Sequence, residues 1–194
     1  EGPGDLARAA ALLEAHGAPE SCRLWAMMET PRGVLNAAAI AAGHPRLAGF
    51  VLGTNDLVKD LRAEHVPDRT PLLASLGICL LAARSEGLVC VDGVYNAFQD
   101  TEGLRAVCEQ GRAMGFDGKT LIHPDQLAVA NEVFAPSAAD VALAEKQVAA
   151  FEDAQAKGEG VAVVDGRIVE NLHVVTARQL LARAEAIAAL EGAS

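Results

Sequence analysis

The chain has 194 residues, with 51% hydrophobic and 22% charged residues, which is enough apolar material for one domain with a buried core and excludes a disordered chain. A net charge of −10 argues against nucleic acid as a partner, because phosphate binding needs basic patches that displace counterions. An anionic small substrate stays open, since a cation or a few local arginines can reverse the field over one pocket.

The elements alternate along the chain. Residues 5–17 have helical spacing and end at Gly17, 22–29 read as a strand, and 33–44 as a helix. A second strand, 47–53, leads into "TNDLVKDL". After the turn "VPDRTP", 71–86 form an apolar helix, 87–95 a third strand, 101–115 a helix stopped by Gly115, and 119–124 a fourth strand. Helices at 137–157 and 171–191 follow, separated by a hairpin over 160–170 with Asp165-Gly166 as its turn.

Strand–helix alternation with continuous apolar strands indicates an α/β fold with a parallel sheet. Four βα units are half of a TIM (β/α)₈ barrel, so we expect residues 1–136 to be the C-terminal half of one. Residues 137–194 would be a helical extension with a short hairpin. Half a barrel exposes open sheet edges, so the native protein is expected to be longer.

Cys22, Cys79, Cys90 and Cys108 lack CxxC spacing and lie in apolar or helical stretches, which implies free thiols and a reducing, cytoplasmic setting. No apolar run reaches the ~18 residues of a membrane span, so no membrane partner is expected.

Two strands end in carboxylates, Glu29 in "WAMMETPRG" and Asp56 in "GFVLGTNDL". Neighbouring strands lie about 4.8 Å apart, so the two could approach closely and would repel without a cation between them. Mg²⁺ suits such a pair, because it takes one or two carboxylates and leaves its other positions to water and substrate. The alternative is that both carboxylates serve the N-termini of the helices that follow. Spacing alone supports the two readings equally. Asp92, in "VDGVY", is a third strand-end acid and a candidate pocket residue. His123 ends the fourth strand on the active face. Lys119 starts that strand at the opposite end, so a structural or solvent role is expected for it. Arg32 and Asp60 read as helix-surface residues.

The motifs "MMETPRGVLNA", "GFVLGTNDLVKDL", "DGVYNAFQDTEGLRA", "GFDGKTLIHPDQ" and "GRIVENLHV" resemble, in this order, those of the HpcH/HpaI aldolase and citrate lyase β-subunit superfamily. Within it they are most similar to the CitE-like branch of malyl-CoA and citramalyl-CoA lyases. The resemblance implies a TIM barrel, a homotrimer or hexamer, and Mg²⁺ on Glu29 and Asp56. It implies retro-Claisen cleavage of a 3-hydroxyacyl-CoA thioester to a 2-oxo acid and an acyl-CoA. Thr30, Pro31, Gly53, Thr54 and Asn55, inside the two metal motifs, would contact substrate, together with Asp92 and His123. In this superfamily an aspartate after a glycine in the C-terminal motif transfers the proton across a subunit boundary. Glu170 stands at that position here, one methylene longer. Glu1 matches the glutamate that ends the fourth barrel strand. The resemblance leaves three further readings: a citrate lyase β subunit acting on a carrier-bound citryl thioester, a malyl-CoA thioesterase, and a non-catalytic homologue.

Overall fold

The computed structural model describes residues 1–192, in two compact units, Glu1–Phe134 and Ala135–Ser194. In the first unit, α1 (Pro3–Ala15) precedes β1 (Leu24–Met28). The chain continues through α2 (Pro31–Leu35), α3 (Ala37–Ala41), β2 (Leu47–Leu52), α4 (Thr54–Leu61), α5 (Leu73–Ser85) and β3 (Val89–Asp92). It finishes with α6 (Thr101–Met114), β4 (Gly118–Lys119) and α7 (Leu127–Phe134). The four strands form one parallel sheet in the order β1-β2-β3-β4, with Met28 opposite Leu52 and Asp92 opposite Lys119.

One face of the sheet is buried under helices. Met28, Phe50, Leu52 and Cys90 point into a core shared with Leu57, Leu76, Cys79 and Leu104. On the opposite face Trp25 is 48% exposed, Met27 53% and Val89 39%. A parallel sheet is ordinarily covered on both faces, so this apolar face needs a cover that the described residues do not supply.

Local chemistry explains most element boundaries. Pro3 opens α1 in the first helical position, where a missing N–H costs nothing. Gly17 adopts φ 71° and Gly115 φ 105°, and at both the backbone leaves its helix in the left-handed region that favours glycine. Asp100 caps α6, its side chain accepting from the Gly103 N–H.

Two expected elements differ. The helix expected over 33–44 is two short helices broken at Asn36, whose side-chain amide donates to the Glu1 carbonyl. The strand expected over 119–124 is only Gly118–Lys119. Beyond it the Thr120 N–H still bonds the Asp92 carbonyl, but the Ile122 N–H donates to the side chain of buried Gln126 instead of to a strand. Lys119 therefore ends β4 rather than starting it, and His123 caps a 3₁₀ turn, its ring Nδ1 accepting from the Asp125 N–H.

Cys79, Cys90 and Cys108 are buried free thiols, and Cys22 is a half-buried one. Burial pushes the Cys79 and Cys90 thiols up to about 12 from 9.0. Because the unfolded chain ionises first, the stability these thiols contribute is complete below pH 9 and is lost between pH 9 and about 12. Urea midpoints should therefore fall steadily above pH 9, and the fall should be shallower in a Cys79→Ala/Cys90→Ala variant; parallel pH profiles would sink this assignment.

The second unit contains α8 (Ala138–Ala156), a hairpin of β5 (Ala162–Val164) and β6 (Arg167–Val169), and α9 (Asn171–Glu191). Asp165 and Gly166 both have positive φ, 50° and 75°, as a two-residue hairpin turn requires. Phe151, Ala154, Ala162, Val169 and Val174 form its small core. The stretch Pro124–Ala156 contains a window apolar enough to cross a membrane by composition. The helix is nevertheless interrupted at residues 135–137, and α8 restarts from a capping box of Ser137 and Asp140.

Candidate active site

The candidate metal residues follow the C-terminal ends of β1 and β2, where an open α/β sheet presents its ligand site. Glu29 follows β1 directly and is half-buried. It does not cap α2: Thr30 does, its hydroxyl oxygen accepting from the Gly33 N–H at 3.0 Å, with Pro31 in the first helical position. Asp56 does not cap α4 either. That place belongs to Gly53, and Asp56 lies in the first helical turn, exposed, 3.8 Å from the Lys59 ammonium.

Gly53 and Glu29 are a matched pair. A Cβ at residue 53 would stand 2.4 Å from the Glu29 Cβ and 2.8 Å from its Oε2, so only glycine leaves the carboxylate room. The fit repeats one strand along, where a Cβ on Gly93 would stand 2.5 Å from the Thr54 hydroxyl oxygen. Thr54 is buried on that contact, 5% exposed. Asn55 makes a reciprocal amide pair with Asn96, donating at 3.1 Å and accepting at 2.8 Å.

Glu29 lines a cavity of about 220 Å³ together with Glu1, Asp5, Met27, Thr30 and Gly33. Among the described residues the Glu29 carboxylate has no recorded hydrogen bond or ion pair. Among the same residues no three His, Cys, Asp or Glu side chains are close enough to hold a metal. Two hard carboxylates at adjacent strand ends, one kept clear by a glycine, fit Mg²⁺, which draws most of its ligands from water and substrate. They do not fit a zinc site, which needs three or four protein ligands.

Asp92 is not a pocket residue. It is fully buried, on the helix-covered side of the sheet, and its carboxylate accepts from Arg69 Nη1 at 2.7 and 2.8 Å and from the Gly93 N–H at 2.8 Å. Lys119 stands 3.3 Å away and also donates to the Gly93 carbonyl. Of the structural and solvent roles expected for this lysine the structural one holds: it is an interior cation, and burial lowers its pKa against the raising effect of Asp92. Arg69, which sequence reading missed, is buried and bonds Gln110 through Nε at 2.6 Å, leaving Nη2 without a partner among the described residues. Above this cluster lies a second cavity of about 400 Å³, lined among others by Thr54, His65, Arg69, Tyr95, Asn96 and Val107. It is larger than the Glu29 cavity but contains neither acid of the candidate metal pair.

His123 stacks on Phe98 with ring centroids 4.6 Å apart, both partly exposed. Arg32 stands 3.8 Å from Glu1 on the surface. Glu170 belongs to the second unit, where it is exposed and caps α9; its N–H donates to His173 Nδ1 at 3.0 Å.

The profile of the HpcH/HpaI aldolase/citrate lyase family matches residues 5–124. The chain is 70% identical over 166 residues to a (3S)-malyl-CoA thioesterase of Cereibacter sphaeroides, covering 86% of this chain and 58% of that protein. It is 37% identical over 167 residues to the citrate lyase subunit beta of Escherichia coli, covering 86% and 55%. Among solved structures, CitE of Mycobacterium tuberculosis in complex with magnesium, acetoacetate and coenzyme A superposes with a TM-score of 0.72 at 28% identity, over 91% of this chain and 73% of that one. The chain thus spans somewhat over half the length of the curated relatives it matches. With a profile match over more than half its residues, the chain belongs to the HpcH/HpaI aldolase/citrate lyase family.

Proposed function

We propose that this chain is part of a Mg²⁺-dependent enzyme that hydrolyses malyl-CoA to malate and free CoA. The observation that carries the reading is the 70% identity to a (3S)-malyl-CoA thioesterase. A C–C lyase acting on the same 3-hydroxyacyl thioester is the second reading, favoured by the family and by the 37% identity to citrate lyase subunit beta.

In both readings Glu29 and Asp56 hold the ion, and the magnesium in the CitE complex supports that role. The bound cation would supply Lewis acidity to a substrate oxygen. Gly53 lets Glu29 reach its position. The first-turn N–H groups of α4, unsatisfied inside the helix, orient the substrate carboxylate. Thr30 lines the cavity beside Glu29, Pro31 opens α2 next to it, and His123 contributes from its stack on Phe98. Glu170 is the proton-transfer group, delivered from the C-terminal segment of a neighbouring copy in a trimer or hexamer. The exposed face carrying Trp25, Met27 and Val89 is the inner wall of a (β/α)₈ barrel closed by strands outside these residues.

The test is product analysis of the intact protein with malyl-CoA and citramalyl-CoA, in Mg²⁺ and then in EDTA. Malate and free CoA appearing only with Mg²⁺ is the expected result, and Glu170→Ala should lose it. Glyoxylate or pyruvate with acetyl-CoA would replace hydrolysis by the lyase reading. No product from either thioester would sink both and leave the carrier-bound substrate or a binding role.

A further inference from the structure

The end of β2 poses a conflict that the structure resolves in an unusual way. A helix start needs acceptors for its first N–H groups, and a Ser, Thr, Asp or Asn side chain at the N-cap normally supplies one. At α4 the N-cap is Gly53, which offers no side-chain acceptor. No capping side chain can replace it, because any Cβ there would stand 2.8 Å from Glu29 Oε2. Room for one strand-end carboxylate is thus obtained by leaving uncapped the helix that carries the other.

The first turn of α4 is held from outside instead. Thr54, its first residue, is buried against Gly93, and Asn55, its second, is locked by two hydrogen bonds to Asn96. The loop supplying Asn96 is itself anchored: Lys119 donates to the Gly93 carbonyl, and Gln126 Nε2 donates to the Tyr95 carbonyl at 2.9 Å. Asp56 is the third residue of the same turn.

We propose that Asn96 is a positioning residue for the metal site, setting the place of Asp56 through Asn55 in lieu of a helix cap. The inference rests on Glu29 and Asp56 as the Mg²⁺ pair. Asn96 touches neither acid. It fixes the turn on which one of them is carried, from a loop 41 positions further along the chain.

Two readouts test it on the intact protein: Mn²⁺ binding followed by electron paramagnetic resonance, and amide hydrogen exchange over residues 54–57. Asn96→Ala should weaken Mn²⁺ binding about 10-fold, the lower end of what losing an outer-layer partner costs a metal site, and speed exchange in the first turn of α4. Its thermal midpoint should stay near that of the parent, since two exposed hydrogen bonds contribute little to stability. Asn96→Gln, which keeps the amide, should recover most of the affinity. Unchanged Mn²⁺ affinity in Asn96→Ala overturns the proposal, as does equal loss in both variants. If the parent protein binds no Mn²⁺ while exchange still quickens in Asn96→Ala, the clamp stands as a device for α4 and the metal reading fails instead.

Discussion

Glu29→Gln should lower the Mg²⁺-stimulated rate on malyl-CoA by about 1,000-fold while leaving the fold intact. A bound cation acting as a Lewis acid contributes several kcal/mol to the transition state, and each ~1.4 kcal/mol is tenfold in rate. Glutamine keeps the shape of the side chain beside Gly53, so the close fit at that glycine survives and only the charge is removed. Within the described residues Glu29 has no recorded ion pair, so removing its charge strands no partner. Asp56→Asn should act in the same direction, tempered by the water and substrate oxygens that complete the coordination. Rate measurements across a Mg²⁺ titration decide the matter. A Glu29→Gln enzyme with the parent's full Mg²⁺ stimulation removes Glu29 from the metal site, and with it the reason for Gly53.

Asp92→Asn should produce the opposite pattern, a large loss of stability that precedes any question of chemistry. Asp92 is fully buried between two cations, Arg69 at 2.7 Å and Lys119 at 3.3 Å. Taking away the central charge leaves a buried guanidinium and a buried ammonium without compensation, and breaking a buried pair in this way costs about 3–5 kcal/mol. Against a total of roughly 5–15 kcal/mol that is a severe change. Lys119→Met should cost much less, because Asp92 keeps Arg69 Nη1 against both its oxygens and burial already disfavours the lysine's charged form. The asymmetry between the variants is the discriminating observation, read from urea midpoints of the intact protein at neutral pH. A loss below about 1 kcal/mol in Asp92→Asn would mean that the cluster is solvated and relaxed in solution, against its full burial here.

The two carboxylate classes look alike in one dimension. Glu29, Asp56 and Asp92 all follow apolar strands, and sequence reading gave all three a place at the active face. Side-chain direction separates them. Glu29 shares its side of the sheet with Met27 and Gly53, whereas Asp92 points to the side covered by α6, where a Cβ on Gly111 would stand 2.9 Å from its carboxylate. Successive strand residues alternate faces, so a single-residue difference in where a strand ends decides whether an acid meets substrate or helix.

What the sequence determined by itself was everything carried by local periodicity and short motifs. The alternation of apolar strands with helices made the sheet parallel. The glycine stops and the Asp165-Gly166 turn set boundaries through backbone preferences that need no distant partner. The "ETP" and "GTND" stretches single out Glu29 and Asp56 as candidates through their resemblance to family motifs, since spacing alone supports a metal pair and helix-end carboxylates equally.

Tertiary structure alone decided the rest. Arg69 lies in a turn, "VPDRTP", that reads as surface, and it becomes an interior cation only because Asp92, 23 residues on, is folded beneath it. Lys119 ends β4 rather than opening it because, after Thr120 bonds the last β3 carbonyl at Asp92, the Ile122 N–H finds the Gln126 side chain instead of a strand. Asn96 carries no motif of its own, and its pairing with Asn55 exists only once β2 and β3 are side by side. Periodicity records which face a residue prefers, while buried charge pairs and amide clamps depend on distances between segments that no local pattern encodes.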